Sequence, residues 1–435
     1  QPIYRAEDTA ELKDCRSFPG EQDFLRGVKS APSRGALWQI AQGVDVRCPR
    51  RAGELAAEEL KRGATAIHLV PDAATVHGMD APCCEKRGVS LCALEHLDKF
   101  FASVSPAEHE LHAATGASAL PLLGMLAAWC KKHGVKLSDV KGCVGADPLG
   151  ALARDGALSR SLDGLYDEMA QTILWAENNG CALRTVLIRG SVYAEAGASA
   201  VQETACALAD AAAVIRAMAD RGIDPDVTAR HVRFEVDLGA NFMEIARLRA
   251  LRVLWAHVAR AFGCQGEGLK ADVFAETSSF TTTVYDPYVN ILRASTQAFS
   301  AAVAGVNSMS VKCFDSAVRP AGDQARRIAR NQQIMMQTEF NFDATVDPAG
   351  GSWYVETLTR QVEDRTWELF QKIEAEGGLA GALAAGVVQK EIGEVLESRF
   401  KKLATRGDRA VGNNMYANMA EKPLDVPEND FEEFK

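Results

Sequence analysis

The residues of this chain best placed to do chemistry sit in one short segment, Val192–Glu203 (VYAEAGASAVQE). With Ser191 just before it, the segment offers a hydroxyl, the Tyr193 phenol and the Glu195 carboxylate, and it contains no histidine. It follows the apolar run Thr185–Ile188 and leads into a long helical pattern, so it reads as a strand-to-helix loop. Such loops carry the catalytic groups of a parallel barrel. Tyr193 and Glu195 would make an acid–base pair if they faced one another. The plainer expectation is that Glu195 caps the next helix, whose positive end favours a carboxylate.

Asp147, Asp237 and Asp315 close other strand candidates and are expected as turn or cap carboxylates, although Asp147 at a strand end is also placed to touch a ligand. His133, His231 and His257 are singletons and read as structural. Ser278, Ser279 and Thr281–Thr283 form a run of small hydroxylated residues that leaves room for an extended ligand arm. Cys83 and Cys84 adjoin, with His77 nearby, but a surface loop explains them better than a metal site. The eleven cysteines follow no paired spacing, which fits reduced thiols and a cytoplasmic location.

The elements that must position these residues alternate along the chain. Strand candidates are Leu37–Val44, Ala64–Val70, Glu110–Ala114, Gly142–Ala146, Thr185–Ile188, Val232–Val236, Ala271–Ala275 and Met309–Phe314. Several are continuous apolar runs, as strands covered on both faces are. The helix over 199–221 opens on a capping box of Ser199 and Gln202, with Val201, Leu208, Ala212 and Ile215 as its inner stripe. Asn241 caps the next helix, with Glu244 at its third position and Ile245, Leu248, Trp255, Val258 and Phe262 facing inward. Arg247, Arg249, Arg252 and Arg260 fall mostly on the other faces and are expected at a solvated or interface surface. Eight strands alternating with helices spell a (β/α)8 barrel. An open doubly wound sheet is the alternative, but no GxGxxG follows the first strand and no GxxxxGKS/T occurs. The expected organisation is an N-terminal arm over 1–35, the barrel over 36–346, and a C-terminal helical segment with an acidic tail over 347–435. In that last segment one amphipathic helix ends at Gly377-Gly378 and a second covers about 379–403.

A net charge of −10 and a pI near 5.5 argue against nucleic-acid or anionic-membrane partners. No apolar run reaches the length of a membrane span, and the charged start is unlike a signal peptide.

Seven strings together resemble the methylmalonyl-CoA mutase family in its barrel part. They are GADPLGALA (145–153), SLDGLYDEMAQ (161–171), EAGASAVQE (195–203), NFMEIARLRALRVLWA (241–256), DPYVNILRAS (286–295), RRIARNQQIMMQ (326–337) and DPAGGSWYVETLT (347–359). They keep the family's order and cover about residues 36–400. The resemblance implies a barrel that binds an acyl-CoA along its axis, with adenosylcobalamin capping the C-terminal mouth for a radical carbon-skeleton rearrangement. Such chemistry needs a dry site and donors for the migrating thioester carbonyl.

The donors of catalytic members are missing where the resemblance would put them. Val192 stands for a histidine, Gly145 for a glutamine, Ser33 for a tyrosine, Phe274 for a histidine and Glu276 for a glutamine. The arginine that would meet the substrate carboxylate falls near Ser161, with Arg160 the closest. Glu276 is expected to repel a dianionic acyl-CoA. The Asp-x-His-x-x-Gly string that supplies the family's lower cobalt ligand is also absent: none of the eight histidines lies two residues after an aspartate.

The resemblance is greatest to the small, non-catalytic chain of heterodimeric bacterial mutases. It implies a chain inactive alone, binding no cofactor itself, in a complex that carries adenosylcobalamin with a larger catalytic subunit or a separate cobalamin-binding protein. An active acyl-CoA mutase barrel with a separate cobalamin subunit is the first alternative, and its polar pocket would use Asp147, Ser191, Tyr193 and Glu276. A scaffold for a mutase accessory protein is the second. A non-catalytic barrel has no reason to keep its axis open, and void volume costs about 24 cal/mol per Å3. Phe274 and Phe280 are the expected plugs, and if the axis is instead open, Ser278, Ser279 and Thr281 would line the channel.

Overall fold

The computed structural model describes residues 3–12, 17–21, 23–29, 38–79, 87–239 and 241–425. Leu37, Ser33, Cys83 and Cys84 lie outside these residues. Eight parallel strands close into a barrel in sequence order: β1 (Gln39–Val44), β2 (Ala66–Leu69), β3 (Glu110–Ala114), β4 (Lys141–Ala146), β5 (Ala182–Arg189), β6 (Val232–Leu238), β7 (Val273–Thr277) and β8 (Ser308–Ser310). The barrel closes through Gln39 beside Ser308 and Ala41 beside Ser310. An open doubly wound sheet is thereby ruled out.

The apolar runs located all eight strands, and their ends moved where pairing decides. β5 extends to Arg189 because its last residues pair with β6 through Glu235. β7 starts two residues later than the apolar run and continues through Glu276 and Thr277, held by Asp237 and Leu238 of β6. β8 is only three residues long: its ladders with β1 and β7 end at Ser310, although both neighbours continue beyond it.

The connecting helices are α1 (Pro49–Lys61), α2 (Ala73–His77), α3 (Leu94–Phe101), α4 (Leu120–His133), α5 (Pro148–Asp155), α6 (Leu162–Asn178), α7 (Ser191–Glu195), α8 (Ala200–Ala219), α9 (Pro225–His231), α10 (Phe242–Ala261), α11 (Val289–Ala304) and α12 (Asp323–Thr338). After the barrel come α13 (Trp353–Ala375), α14 (Gly378–Ala384) and α15 (Val387–Ala404). The Ser199–Gln202 capping box opens α8, and Asn241 caps α10 through the Met243 amide. Gly386, at φ +73°, separates α14 from α15, so the single helix expected over 379–403 is two. A left-handed backbone at that point cannot continue a helix and suits glycine.

Two expectations about the barrel's outer layer are corrected. Helix α8 is buried around almost its whole circumference, including Glu203 and Asp210, because α10 flanks it and α13 and α14 lie over it. Arg247, Arg249 and Arg252 of α10 are not solvated but buried. Arg249 meets Asp347 and Glu356 at 3.1 Å. Arg26, from the N-terminal segment, reaches the same two carboxylates, at 2.8 Å and 2.5 Å. Arg252 donates to the carbonyls of Phe24, Leu25 and Ala304. Amphipathic periodicity assumes water on the outer face, and α13 replaces that water. Arg260 is half-buried and pairs with Asp23.

Candidate functional site

The C-terminal ends of the strands surround a bowl of about 570 Å3, where enzymes of this fold place their chemistry. Residues at alternate positions point inward. From β6 these are Arg233, Glu235 and Asp237; from β7, Phe274 and Glu276; from β2 and β3, His68 and His112.

The floor of the bowl is closed. Phe274 stacks on His112 with ring centroids 3.6 Å apart and planes inclined by 14°. Strands β3 and β7 are diametrically opposite in the closed ring, so this contact spans the barrel. His68 from β2 meets Phe274 edge-on at 5.0 Å, and Phe274 also packs on Ala41 and Ala66. Phe274 is 1% exposed. Phe280, the other expected plug, is not on the axis. It lies in the loop after β7 beneath the Arg399 guanidinium, 5.3 Å from its ring centroid.

Above the floor the charged side chains are spent on one another. Glu235 accepts from Arg189 Nε at 2.9 Å and from the Ser191 hydroxyl at 2.8 Å, and its other oxygen lies 3.5 Å from His112 Nε2. Burial opposes its charge, yet Arg189 and His112 hold its carboxyl well below the usual range. Lys312 Nζ lies 3.0 Å from Glu276, 3.7 Å from Glu195 and 2.7 Å from the Ser279 hydroxyl. Glu276 is thus matched by Lys312, with His68 Nδ1 at 3.8 Å. The expected repulsion of an acyl-CoA by Glu276 is offset by that cation. Burial pushes the His112 imidazole down to about 4 and lowers His68 as well, so both rings are neutral near pH 7. A neutral imidazole in a packed floor is a weak proton donor to a thioester.

The loop that opened the sequence reading is divided between wall and rim. Tyr193 and Glu195 lie on α7 and do not face each other. Tyr193 is 3% exposed and its hydroxyl has no hydrogen-bond partner among the described residues. Glu195 is exposed and turns toward Lys312. The cap of α8 is Ser199, not Glu195. Val192 is half-buried and outside the bowl. At Gly145, an added Cβ would come within 2.7 Å of the Leu187 Cβ and 2.9 Å of the Cys143 sulfur, so a glutamine there has no room without movement of β5. Ser278 caps its own loop by accepting from the Phe280 amide.

Asp147 caps α5 through the Gly150 amide at 2.6 Å and also accepts from the Arg189 amide at 2.9 Å. Behind it lies Asp210 of α8, fully buried, with neither oxygen meeting a donor. Burial and the neighbouring Asp147 carboxylate push Asp210 well above the usual carboxyl range, and burial raises Asp147 too. A proton on Asp210 donated to Asp147 satisfies both.

His68, His112, Arg189, Glu235 and Lys312 escaped the sequence reading. A signal was present in Arg233-Phe234-Glu235-Val236-Asp237: charges at every second position of an apolar strand must point into the barrel. Among the described residues no cluster of histidine, cysteine and carboxylate side chains is suited to a metal ion. None of their helices is long and apolar enough to cross a membrane.

A methylmalonyl-CoA mutase family model matches residues 1–435. The chain is similar to the methylmalonyl-CoA mutase small subunit of Porphyromonas gingivalis, with 30% identity over 97% of this chain and 65% of that protein. The small subunit of Streptomyces virginiae shares 32% over 98% of this chain and 65% of its own length. The large subunit of Porphyromonas gingivalis shares 29% over 99% of this chain and 61% of its own. The chain thus spans a little under two thirds of the length of these relatives.

Proposed function

Because the chain belongs to the methylmalonyl-CoA mutase family, we propose that it is the small, non-catalytic barrel subunit of an adenosylcobalamin-dependent methylmalonyl-CoA mutase. The complex interconverts methylmalonyl-CoA and succinyl-CoA in the cytoplasm, and a larger catalytic chain or a separate cobalamin-binding protein carries the corrinoid. Identity alone separates the two kinds of subunit poorly, at 30% and 29% for the pair from one organism. The observation that carries the reading is the Phe274–His112 stack across the barrel.

An acyl-pantetheine arm threaded along the axis would have to displace that stack and the Ala41 and Ala66 contacts beneath it. Above it, among the described residues, Glu235 and Glu276 are matched by Arg189 and Lys312, so these charges are engaged with one another. Bound adenosylcobalamin supplies a carbon radical by homolysis. No residue here matches the family's lower cobalt ligand, because no histidine follows an aspartate at two residues. What the chain's own side chains do is fill the axis and knit the mouth loops into a fixed surface on which a partner can rest. The test supplies the purified chain with adenosylcobalamin and a separate cobalamin-binding protein but no catalytic chain. No isomerisation of methylmalonyl-CoA is expected; turnover would establish instead an active barrel with a separate cobalamin subunit.

A further inference from the structure

Beside the bowl, and outside the barrel axis, a lateral cleft of about 900 Å3 runs between the loop after β7, the N-terminal ends of α8 and α10, and the segment that follows α15. Two arginines enter it half-buried. Arg399 lies over the Phe280 ring. Arg293 donates to the Thr283 hydroxyl at 2.8 Å, the Asn290 side-chain oxygen at 2.7 Å and the Val411 carbonyl at 2.7 Å. All three acceptors are neutral. Among the described residues no carboxylate comes within 4 Å of either guanidinium. Burial lowers both arginines, with Asp286 and Asp408 acting only from further away. The more deeply buried Arg26, Arg233, Arg247, Arg249, Arg326 and Arg330 are each in an ion pair, whereas the equally buried Arg252 is satisfied by three backbone carbonyls. Among the described residues these two half-buried guanidinium groups meet no carboxylate, and an arriving anion would gain charge-assisted hydrogen bonds from them.

The opposite wall is consistent with such a ligand. Glu203 and Glu244 line it, but Arg247 engages both. Asp237 is 5% exposed, and its Oδ1 has no partner. Burial pushes its carboxyl up to about 8, so near neutral pH it presents a hydroxyl rather than a charge. Between the two walls the lining is largely apolar and includes Phe280, Met243 and Leu403. We propose that this cleft binds an amphiphilic organic anion, its phosphate or carboxylate head held by Arg293 and Arg399 and its flat apolar body laid against Phe280. Asp237 would meet a hydroxyl or carbonyl of the same ligand. The cleft adjoins the bowl, with which it shares Thr282, but its arginine wall lies to the side of the stacked floor, and the proposal stands whether or not the chain is catalytic.

The test is a calorimetric titration of the full chain with 1-naphthyl phosphate, with 1-naphthol as the uncharged control. Saturable binding of the phosphate is expected, weaker by about tenfold in Arg399→Gln, as the loss of one charge-assisted contact implies. Naphthol binding should be unchanged by that substitution. Arg409→Gln, on the exposed rim of the same cleft, provides a second variant should Arg399→Gln fail to fold, and a smaller loss in the same direction is expected there. Absence of saturable phosphate binding to the native chain would overturn the proposal. So would a phosphate affinity that neither substitution lowers, or an equal loss for naphthol and its phosphate.

Discussion

A carboxyl group that must keep its proton makes the most exacting demand in this molecule. Asp210 has no donor to accept from, and Asp147 has two, so the pair is stable only with one proton between them. The folded protein holds that proton above the ordinary carboxyl value of 3.8, and the sign of the linkage follows. The stabilisation is fully present below the unfolded value and is lost as pH rises through the folded one. The stability of the native chain should therefore fall between acidic and mildly alkaline pH. Asp210→Asn, whose amide donates to Asp147 without titrating, should flatten that slope. Urea midpoints at several pH values check this, and an unchanged slope in the variant would contradict the shared proton. Such a pair is invisible in the sequence, where Asp210 is one polar residue in an alanine-rich helix. Only the approach of α8 to the end of β4 makes it informative. Phe274 was legible as a plug because the family resemblance set it against a histidine. Phe280 was not a plug, because the loop after β7 turns it away from the axis and under Arg399.

Among the elements, α13 decides what the barrel's outer layer looks like. Ser352 caps it through the Val355 amide. Its Glu356, with Asp347 just before it, receives Arg249 from α10 and Arg26 from the N-terminal segment. One buried cluster therefore ties the first and last parts of the chain to the same face of the barrel. Removing a single partner leaves buried charge uncompensated, which costs roughly 3 to 5 kcal/mol. Glu356→Ala should lose about that much in denaturant unfolding and should expose α13 to limited proteolysis before the barrel opens. A loss below about 1 kcal/mol would show the cluster to be dispensable. The eight strands and the caps of α8 and α10 were readable from apolar runs and capping residues, since those signals are local. The burial of Arg247, Arg249 and Arg252 was not, because periodicity reports a face and not what covers it. The break at Gly386 was missed for a similar reason: the helical pattern continues across it, and only the left-handed backbone interrupts the chain.

For the whole molecule, the account is of a mutase barrel whose architecture is kept while its interior is given over to packing. The strings that identify the family lie largely in helices and loops that hold the barrel together, and they survive here. Phe274 and Glu276, which the resemblance sets against a histidine and a glutamine, face the axis and the mouth. On the proposed role, in which the chain serves a complex through its surface, an open axis is not needed. That claim is tested most directly by comparing the calorimetric affinities of the purified chain for methylmalonyl-CoA and for free coenzyme A. Any binding through the phosphates or the pantetheine arm, including binding in the lateral cleft, is common to both ligands, so the difference reports the acyl group alone. With Phe274 across the barrel, methylmalonyl-CoA should bind no more tightly than coenzyme A. A gain of about tenfold or more for methylmalonyl-CoA, worth about 1.4 kcal/mol, would mean that the acyl group finds a site of its own inside the barrel and would contradict the account.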